Sequence, residues 1–259
     1  MASRAKIASG AALIVAVGVL LLLPRIALLS VIGALAVFAQ IELLALKQVG
    51  NRLWVIGPGT FIFLSAAICG SNGVLITLLS AMALSASALL LGRGGHALDY
   101  ILIAAFSWAY VAIPLGLTAN LWLGPHGVER TIFLIFSTSV RNIGAGLLGP
   151  LLPGHSISWA SPRKTYEGGA IGLLVTLGLA FLLRGILFPT ISVSAVATLS
   201  VLVSLLGQLG DLMESMIKRE CQARDSANLL PGQGGILDTV DSFLFTGPAV
   251  YFYFVLLDA

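Results

Sequence analysis

The sequence predicts an all-α fold: a polytopic transmembrane helix bundle of about nine spans with its N-terminus in the cytoplasm. Two observations lead there. Of the 259 residues, 58% are hydrophobic and only 10% charged, against roughly 25% charged in an ordinary soluble domain, so a water-facing surface could not be covered. Mean hydropathy is correspondingly high, at +1.02. The apolar residues also come in long runs, whereas a membrane β-barrel would alternate them with polar lumen residues. A soluble enzyme, a disordered chain and a nucleic-acid-coating protein are excluded as classes. The net charge of +3 suits anionic lipids and gives no reason to expect a nucleic acid partner.

A helical span needs about 20 apolar residues, with roughly 17 as a working minimum. The candidate runs are 8-23, 26-46, 53-70, 73-91, 98-118, 131-152, 169-188, 191-210 and 243-257, of which the first, third and last are short. Breakers separate many of them: Pro24-Arg25, Ser71-Asn72, the stretch from Gly92 to Gly95, and Pro189. The segment 53-72 could also form a re-entrant pair with its neighbour. The first run has no small-residue cleavage site, so it is expected to stay as a span. Trp54, Trp108, Trp122 and Trp159 fall near span ends, where an interfacial belt would put them. Small residues between Ser80 and Ala88 suit close helix packing, and the many Gly, Ala and Ser faces suit a homodimer. With no strong repeat and no linker, the chain reads as one membrane-embedded domain over 1-259.

With nine spans, ten basic residues, among them Arg4, Lys47, Arg93, Lys164 and Lys218, fall on one side. Arg25, Arg130 and Arg184 fall on the other, and Arg141 lies inside a span. The positive-inside rule then puts the N-terminus in the cytoplasm, the C-terminus outside, and loops 153-168 and 211-242 on the cytoplasmic side. His96, His126 and His155 have no ligand partner at metal-binding spacing and read as loop residues. Cys69 and Cys221 make no disulfide framework.

The 11 acids are unevenly placed. Glu42, Asp99, Glu129, Glu167 and Asp258 are scattered, while Asp211, Glu214, Glu220, Asp225, Asp238 and Asp241 all lie within 211-241. The run VLVSLLGQLGDLMESMIKRE is continuous helix by pattern and passes from an apolar span into a charged end. Asp211, Glu214, Ser215 and Lys218 recur at i, i+3, i+4 and i+7 and share one face. Pro231, Gly232, Gly234 and Gly235 then bracket a tight turn whose backbone N–H groups can meet an anion. Asp238 and Asp241 follow just before the last run; if that helix begins early, both point the same way. This pattern suits phosphoryl or nucleotidyl transfer. Asp225, Asp238 and Asp241 are hard oxygen ligands for Mg²⁺ together with substrate phosphates, and Lys218, Arg219 and Arg224 can neutralise the transferred group. A merely solvated loop would explain the charge, but not four turn residues within five positions or carboxylates at regular spacing.

A second patch is Ser161-Pro162-Arg163-Lys164-Thr165-Tyr166-Glu167-Gly168-Gly169. A basic membrane anchor with a proline turn accounts for Arg163 and Lys164. It does not account for Glu167-Gly168-Gly169 opening a span, and the patch is read as phosphate-binding.

These two patches carry a resemblance. SPRKTYEGG is similar to the S-P-K-K-T-x-E-G segment of the phosphatidate cytidylyltransferases (CDP-diacylglycerol synthases). ESMIKRECQARDSANLLPGQGGILDTVDS resembles their C-terminal signature, in which S-x-x-K-R is followed by K-D, P-G-H-G-G and D-R-x-D. Matching positions include Ser215, Lys218, Arg219, Asp225, Pro231, Gly232, Gly234, Gly235, Asp238 and Asp241. The departures are Arg224 for a lysine, Gln233 for the histidine and Thr239 for the arginine. Upstream, the family's D-x-G-A-Y-x-x-G-R segment is matched by 142–150, with Asn142 for the acid, Gly146 for the tyrosine and Pro150 for the arginine.

The resemblance implies a metal-dependent enzyme of phospholipid biosynthesis that transfers a cytidylyl group from CTP to phosphatidate. Its site would face the cytoplasm from a bacterial cytoplasmic membrane. On that basis Asp225, Asp238 and Asp241 bind Mg²⁺, with room for a second cation, and Asp211 and Glu214 assist. Lys218, Arg219, Arg224 and Lys164 hold phosphates; Ser161 and Thr165 bond the triphosphate, and Glu167 orients Lys164. Arg163, Ser215, Gln233, Gly234, Gly235 and Asn142 complete the substrate side. Two alternatives stay open: a divergent nucleotidyltransferase using another nucleotide or lipid phosphate, and a non-enzymatic lipid-phosphate carrier on the same scaffold.

Overall fold

The structure, a computed structural model, describes residues 24–50, 52–91, 97–229 and 234–258. Among these residues there are eight α-helices and no β-strand; Ser156 and Thr165 form an isolated antiparallel bridge. Among the described residues, seven helical stretches are long and apolar enough to cross a membrane, as the sequence class requires. The run at 8-23 lies outside the described residues. Those at 53-70 and 73-91 fall on one helix that breaks at Gly70, so the Ser71-Asn72 breaker sits one residue late.

The chain divides into two compact units. The first holds the described residues up to Leu123 together with Cys221–Val240. Helix α1 (Arg25–Leu46) follows Pro24, and α2 (Leu53–Leu91) packs against it. The α2 break is a backbone requirement: Gly70 has φ 59 and ψ -147, a combination closed to a residue with a Cβ. Helix α3 (Ala97–Ser107) runs through a π-helical turn, Trp108–Ala112, into α4 (Ile113–Leu123). Helix α4 approaches α2 closely at Gly116, where a Cβ would come within 2.7 Å of the Phe63 carbonyl oxygen. Asn120 Nδ2 donates to Ala67 O at 2.8 Å in the same interface.

Two of the four expected belt tryptophans prove to be core. Trp108 is buried in the π-helical turn and donates Nε1–H to Val55 O at 2.8 Å, and Trp122 is also buried. Trp108 sits at mid-span, the centre of the run 98-118 and close to the centre of the observed span Leu98–Leu123. Trp54 and Trp159 are exposed.

The second unit holds Gly124–Glu220 and Asp241–Ala259. Its helices are α5 (Gly127–Leu148), α6 (Tyr166–Leu187), α7 (Val193–Glu220) and the greater part of α8 (Ile236–Asp258). Helix α6 packs against both α5 and α7. Small residues let α5 and α6 meet: a Cβ at Gly172 would lie 3.0 Å from the Arg141 carbonyl oxygen. Phe133 and Phe188 close the other end edge to face, with centroids 5.1 Å apart. Leu174, Leu182, Ile186 and Leu205 are exposed, as a lipid-facing surface would be. Helix α7 stays continuous through Gly207 and Gly210 into its charged end, as its pattern predicts. Helix α8, in contrast, begins at Ile236, seven residues before the apolar run at 243-257, so Asp238 and Asp241 lie within it.

Candidate active site

The first cluster is built where the segment after Cys221 enters α8. A helix start leaves its first N–H groups without intrahelical acceptors. Here two carboxylates supply them. Glu42, buried on α1, accepts from Ile236 N through Oε1 and from Leu237 N through Oε2, both at 2.8 Å. Asp238 Oδ2 accepts from Gly235 N at 2.7 Å, Ser226 N at 2.8 Å and Ser226 Oγ at 2.8 Å. Negative charge at this end also suits the helix dipole. Gly234 has φ 93, and a Cβ there would overlap Asp238 Oδ2 and come within 3.4 Å of Asp225 Cβ. Asp225 and Asp238 therefore approach each other across a position that only glycine can fill. Thr239 Oγ1 donates to Gly235 O at 3.0 Å, so it ties the turn down where the family has a cation.

The second cluster lies on α5, α7, α8 and the loop before α6. Arg141 is 2% exposed, and a charge so placed in a span needs a partner. Its Nη1 donates to Asp211 Oδ2 at 2.7 Å and also to Asn142 Oδ1. Asn142 Nδ2 donates to Ser242 Oγ at 3.1 Å, and Ser242 Oγ donates to Asp211 Oδ1. These four side chains close a ring. Lys164 Nζ donates to Asp211 O at 2.6 Å and to Ser215 Oγ at 3.3 Å, and stands 3.9 Å from Asp211 Oδ2. Burial pulls the Lys164 pKa below the ordinary lysine value, while Asp211, Asp241 and Glu214 work the other way. Lys218 pairs with Glu214 one turn back at 2.7 Å.

Several expected site residues have other partners. Glu167, expected to orient Lys164, accepts instead from His155 N and pairs with His155 Nδ1, both at 2.8 Å. His155, read as a loop residue without a ligand partner, thus has a carboxylate. Thr165 Oγ1 accepts from Gly168 N at 3.0 Å and caps α6. Ser161 offers its carbonyl to Lys164 N at 3.0 Å in the proline turn. Arg219 Nε donates to Ala160 O at 3.2 Å. Arg163 and Arg224 are exposed, Gly146 meets nothing within 4 Å beyond its Cα, and Pro150 lies exposed in the 3-10 turn Gly149–Leu151. Gln233, with Pro231 and Gly232, lies outside the described residues. Asp241 Oδ1 accepts from Ser242 N at 2.6 Å.

The residue that sequence reasoning passed over is Glu42. Its one signal was a lone carboxylate inside an apolar run, which in a membrane span marks a group with work to do.

Residues 4–257 match the model of the Cytidylyltransferase family. The chain belongs to this family. Among its relatives, a phosphatidate cytidylyltransferase of Synechocystis is 40% identical over 137 residues, 51% of this chain and 45% of that one. One of Bacillus subtilis is 45% identical over 96 residues, 37% and 36% of the two chains. One of Staphylococcus saprophyticus is 35% identical over 125 residues, 48% of each. The chain thus spans about half the length of these curated relatives, or less.

Mg²⁺ is commonly held by one or two carboxylates together with substrate phosphates and waters. Asp225 and Asp238, two carboxylates with Asp225 Cβ and Asp238 Oδ2 both lying against Gly234, fit that description. Among the described residues, no three ligating side chains converge in either unit. Asp211 and Glu214, expected as metal helpers, are neutralised by Arg141 and Lys218 instead.

Proposed function

We propose that this chain transfers a cytidylyl group from CTP to phosphatidate, giving CDP-diacylglycerol and pyrophosphate. The observation that carries this reading is the pair Asp225 and Asp238, family-signature acids brought near each other at Gly234, with Asp238 held by the Ser226 and Gly235 amides at the start of α8. A phosphatidate phosphate oxygen attacks the α-phosphorus of CTP. The bond from that phosphorus to the bridging oxygen breaks, and its electrons leave with pyrophosphate. Asp225 and Asp238 would hold a divalent cation, which when bound would supply charge neutralisation at the substrate phosphates. Lys164 offers a partly desolvated ammonium to a phosphate, steered by Asp211 O and Ser215. Lys218 and Arg219 add positive charge at the end of α7, and Arg224 adds an exposed cation beside Asp225. Gly235 keeps its backbone N–H on the Asp238 carboxylate, and Gly234 leaves room for that carboxylate beside Asp225. The substrates place the site on the cytoplasmic side of a bacterial membrane, where CTP is dissolved and anionic lipid is at hand.

A second reading, transfer from another nucleotide or to another lipid phosphate, is favoured by one observation. Where the family carries an acid, Asn142 is locked in a ring with Arg141, Asp211 and Ser242. Purified protein with Mg²⁺ is therefore tested against a panel of α-labelled nucleotides and lipid phosphates, with Asp225→Asn and Asp238→Asn as controls. Labelled lipid from CTP and phosphatidate alone, lost in both variants, is the expected result. Product only from another pair selects the second reading. No product from any pair, with folded protein, overturns both.

A further inference from the structure

The proposed reaction uses Asp225 and Asp238 and leaves Glu42 without a task. Glu42 is only 5% exposed in an apolar helix, where an unemployed carboxylate would be expensive. It makes three hydrogen bonds among the described residues, and none serves its own helix. All three come from the segment between Ser226 and Leu237: two α8 amides and, at 2.7 Å, the Ser226 hydroxyl. That hydroxyl also lies 2.8 Å from Asp238 Oδ2. A hydroxyl carries one proton, so a single hydrogen is set between Glu42 and Asp238 and couples the two carboxylates. The packing leaves no slack, since a Cβ on Gly235 would overlap both Ser226 Oγ and Glu42 Oε2.

We infer that Glu42 is a positioning residue. Through Ser226 and the first amides of α8, it fixes the Asp238 carboxylate in the orientation in which Asp225 and Asp238 hold a divalent cation. The inference rests on the cation site proposed above. Side chains that orient a metal ligand in this way change metal affinity by about 10–100-fold when mutated.

Mn²⁺ is the probe, because its electron paramagnetic resonance signal reports binding without turnover. The full chain is used in detergent, with monodispersity and helical circular dichroism as folding controls. Glu42→Gln keeps the size but offers one acceptor oxygen in place of two, and is expected to weaken Mn²⁺ binding about 10–100-fold. Ser226→Ala cuts the link to Asp238 while sparing the Glu42–amide bonds, and is expected to weaken binding about 10-fold. In turnover, Glu42→Gln should need more Mg²⁺ for half-maximal rate yet recover rate at saturation, whereas plain destabilisation would lower the saturated rate. Wild-type affinity in Glu42→Gln overturns the inference. If Glu42→Gln does not fold, wild-type affinity in Ser226→Ala overturns it instead. Wild-type protein that binds no Mn²⁺ overturns the cation site and the inference together. Binding that is lost in Asp225→Asn but kept in both other variants overturns the inference alone.

Discussion

Asp211→Asn should be among the most destabilising single changes in the second unit. Arg141 is 2% exposed, and Asp211 is its one ion-pair partner among the described residues. Without that charge the guanidinium keeps only neutral acceptors such as Asn142 Oδ1, and its Nε already has no hydrogen-bond partner. Removing one member of a buried pair costs about 3–5 kcal/mol, chiefly because a buried charge is left behind. The reverse change is milder. In Arg141→Met, Asp211 retains Ser242 and Lys164, and its side chain is 16% exposed. About 1–2 kcal/mol is expected there. The double variant leaves no orphaned guanidinium and should cost about 2 kcal/mol, giving a coupling energy of about 2–5 kcal/mol. Reversible unfolding in mixed micelles measures all four corners of this cycle. An Asp211→Asn loss below about 1 kcal/mol, or simple additivity in the double variant, would refute the assignment of the pair.

Other consequences concern the two clusters separately. Because burial lowers the Lys164 pKa from 10.5, its ammonium is lost as pH rises through a value below that. Transfer rate should fall on the alkaline side before 10.5, and Lys164→Arg should carry the fall upward, since a guanidinium stays charged. A limb unmoved by Lys164→Arg would show that another group titrates. Gly234→Ala forces a Cβ onto φ 93 and into Asp238 Oδ2, which should cost about 1–3 kcal/mol and most of the activity. Gly146→Ala meets nothing within 4 Å and should stay within about 0.5 kcal/mol of wild type. Asn142→Asp restores the acid of the family segment but removes the amide donor to Ser242 Oγ. It should lower stability by about 1–3 kcal/mol rather than improve function, as read by unfolding and by turnover on the same preparation.

What the sequence made legible was local. The Asp211, Glu214, Ser215 and Lys218 face of α7 could be read because helical periodicity fixes it, and the Lys218–Glu214 pair follows from i, i+4 spacing. The start of α8 could not. The apolar run begins at 243, and Ile236 becomes helical because Glu42, almost two hundred residues earlier, accepts its N–H. Trp108 was misplaced although it falls at the centre of its run: the π-helical turn carries the indole inward, where its Nε1–H meets Val55 O, 53 residues away. Glu167 and Lys164 stand three residues apart and invited pairing. The hairpin that bonds Ile157 N to Lys164 O instead brings His155 to Glu167. In each case the deciding partner is remote in sequence, and pattern alone carries no information about it.

The most direct test of the central claim follows the phosphorus atoms of CTP. Protein, Mg²⁺ and phosphatidate are incubated with CTP labelled at the α-phosphorus in one arm and at the γ-phosphorus in the other, and the lipid is extracted. Nucleotidyl transfer predicts label in the lipid from the α arm alone, with the γ label recovered as pyrophosphate in equal amount. Lipid labelled from the γ arm would mean phosphoryl transfer and contradict the account, as would unlabelled lipid in both arms from folded protein.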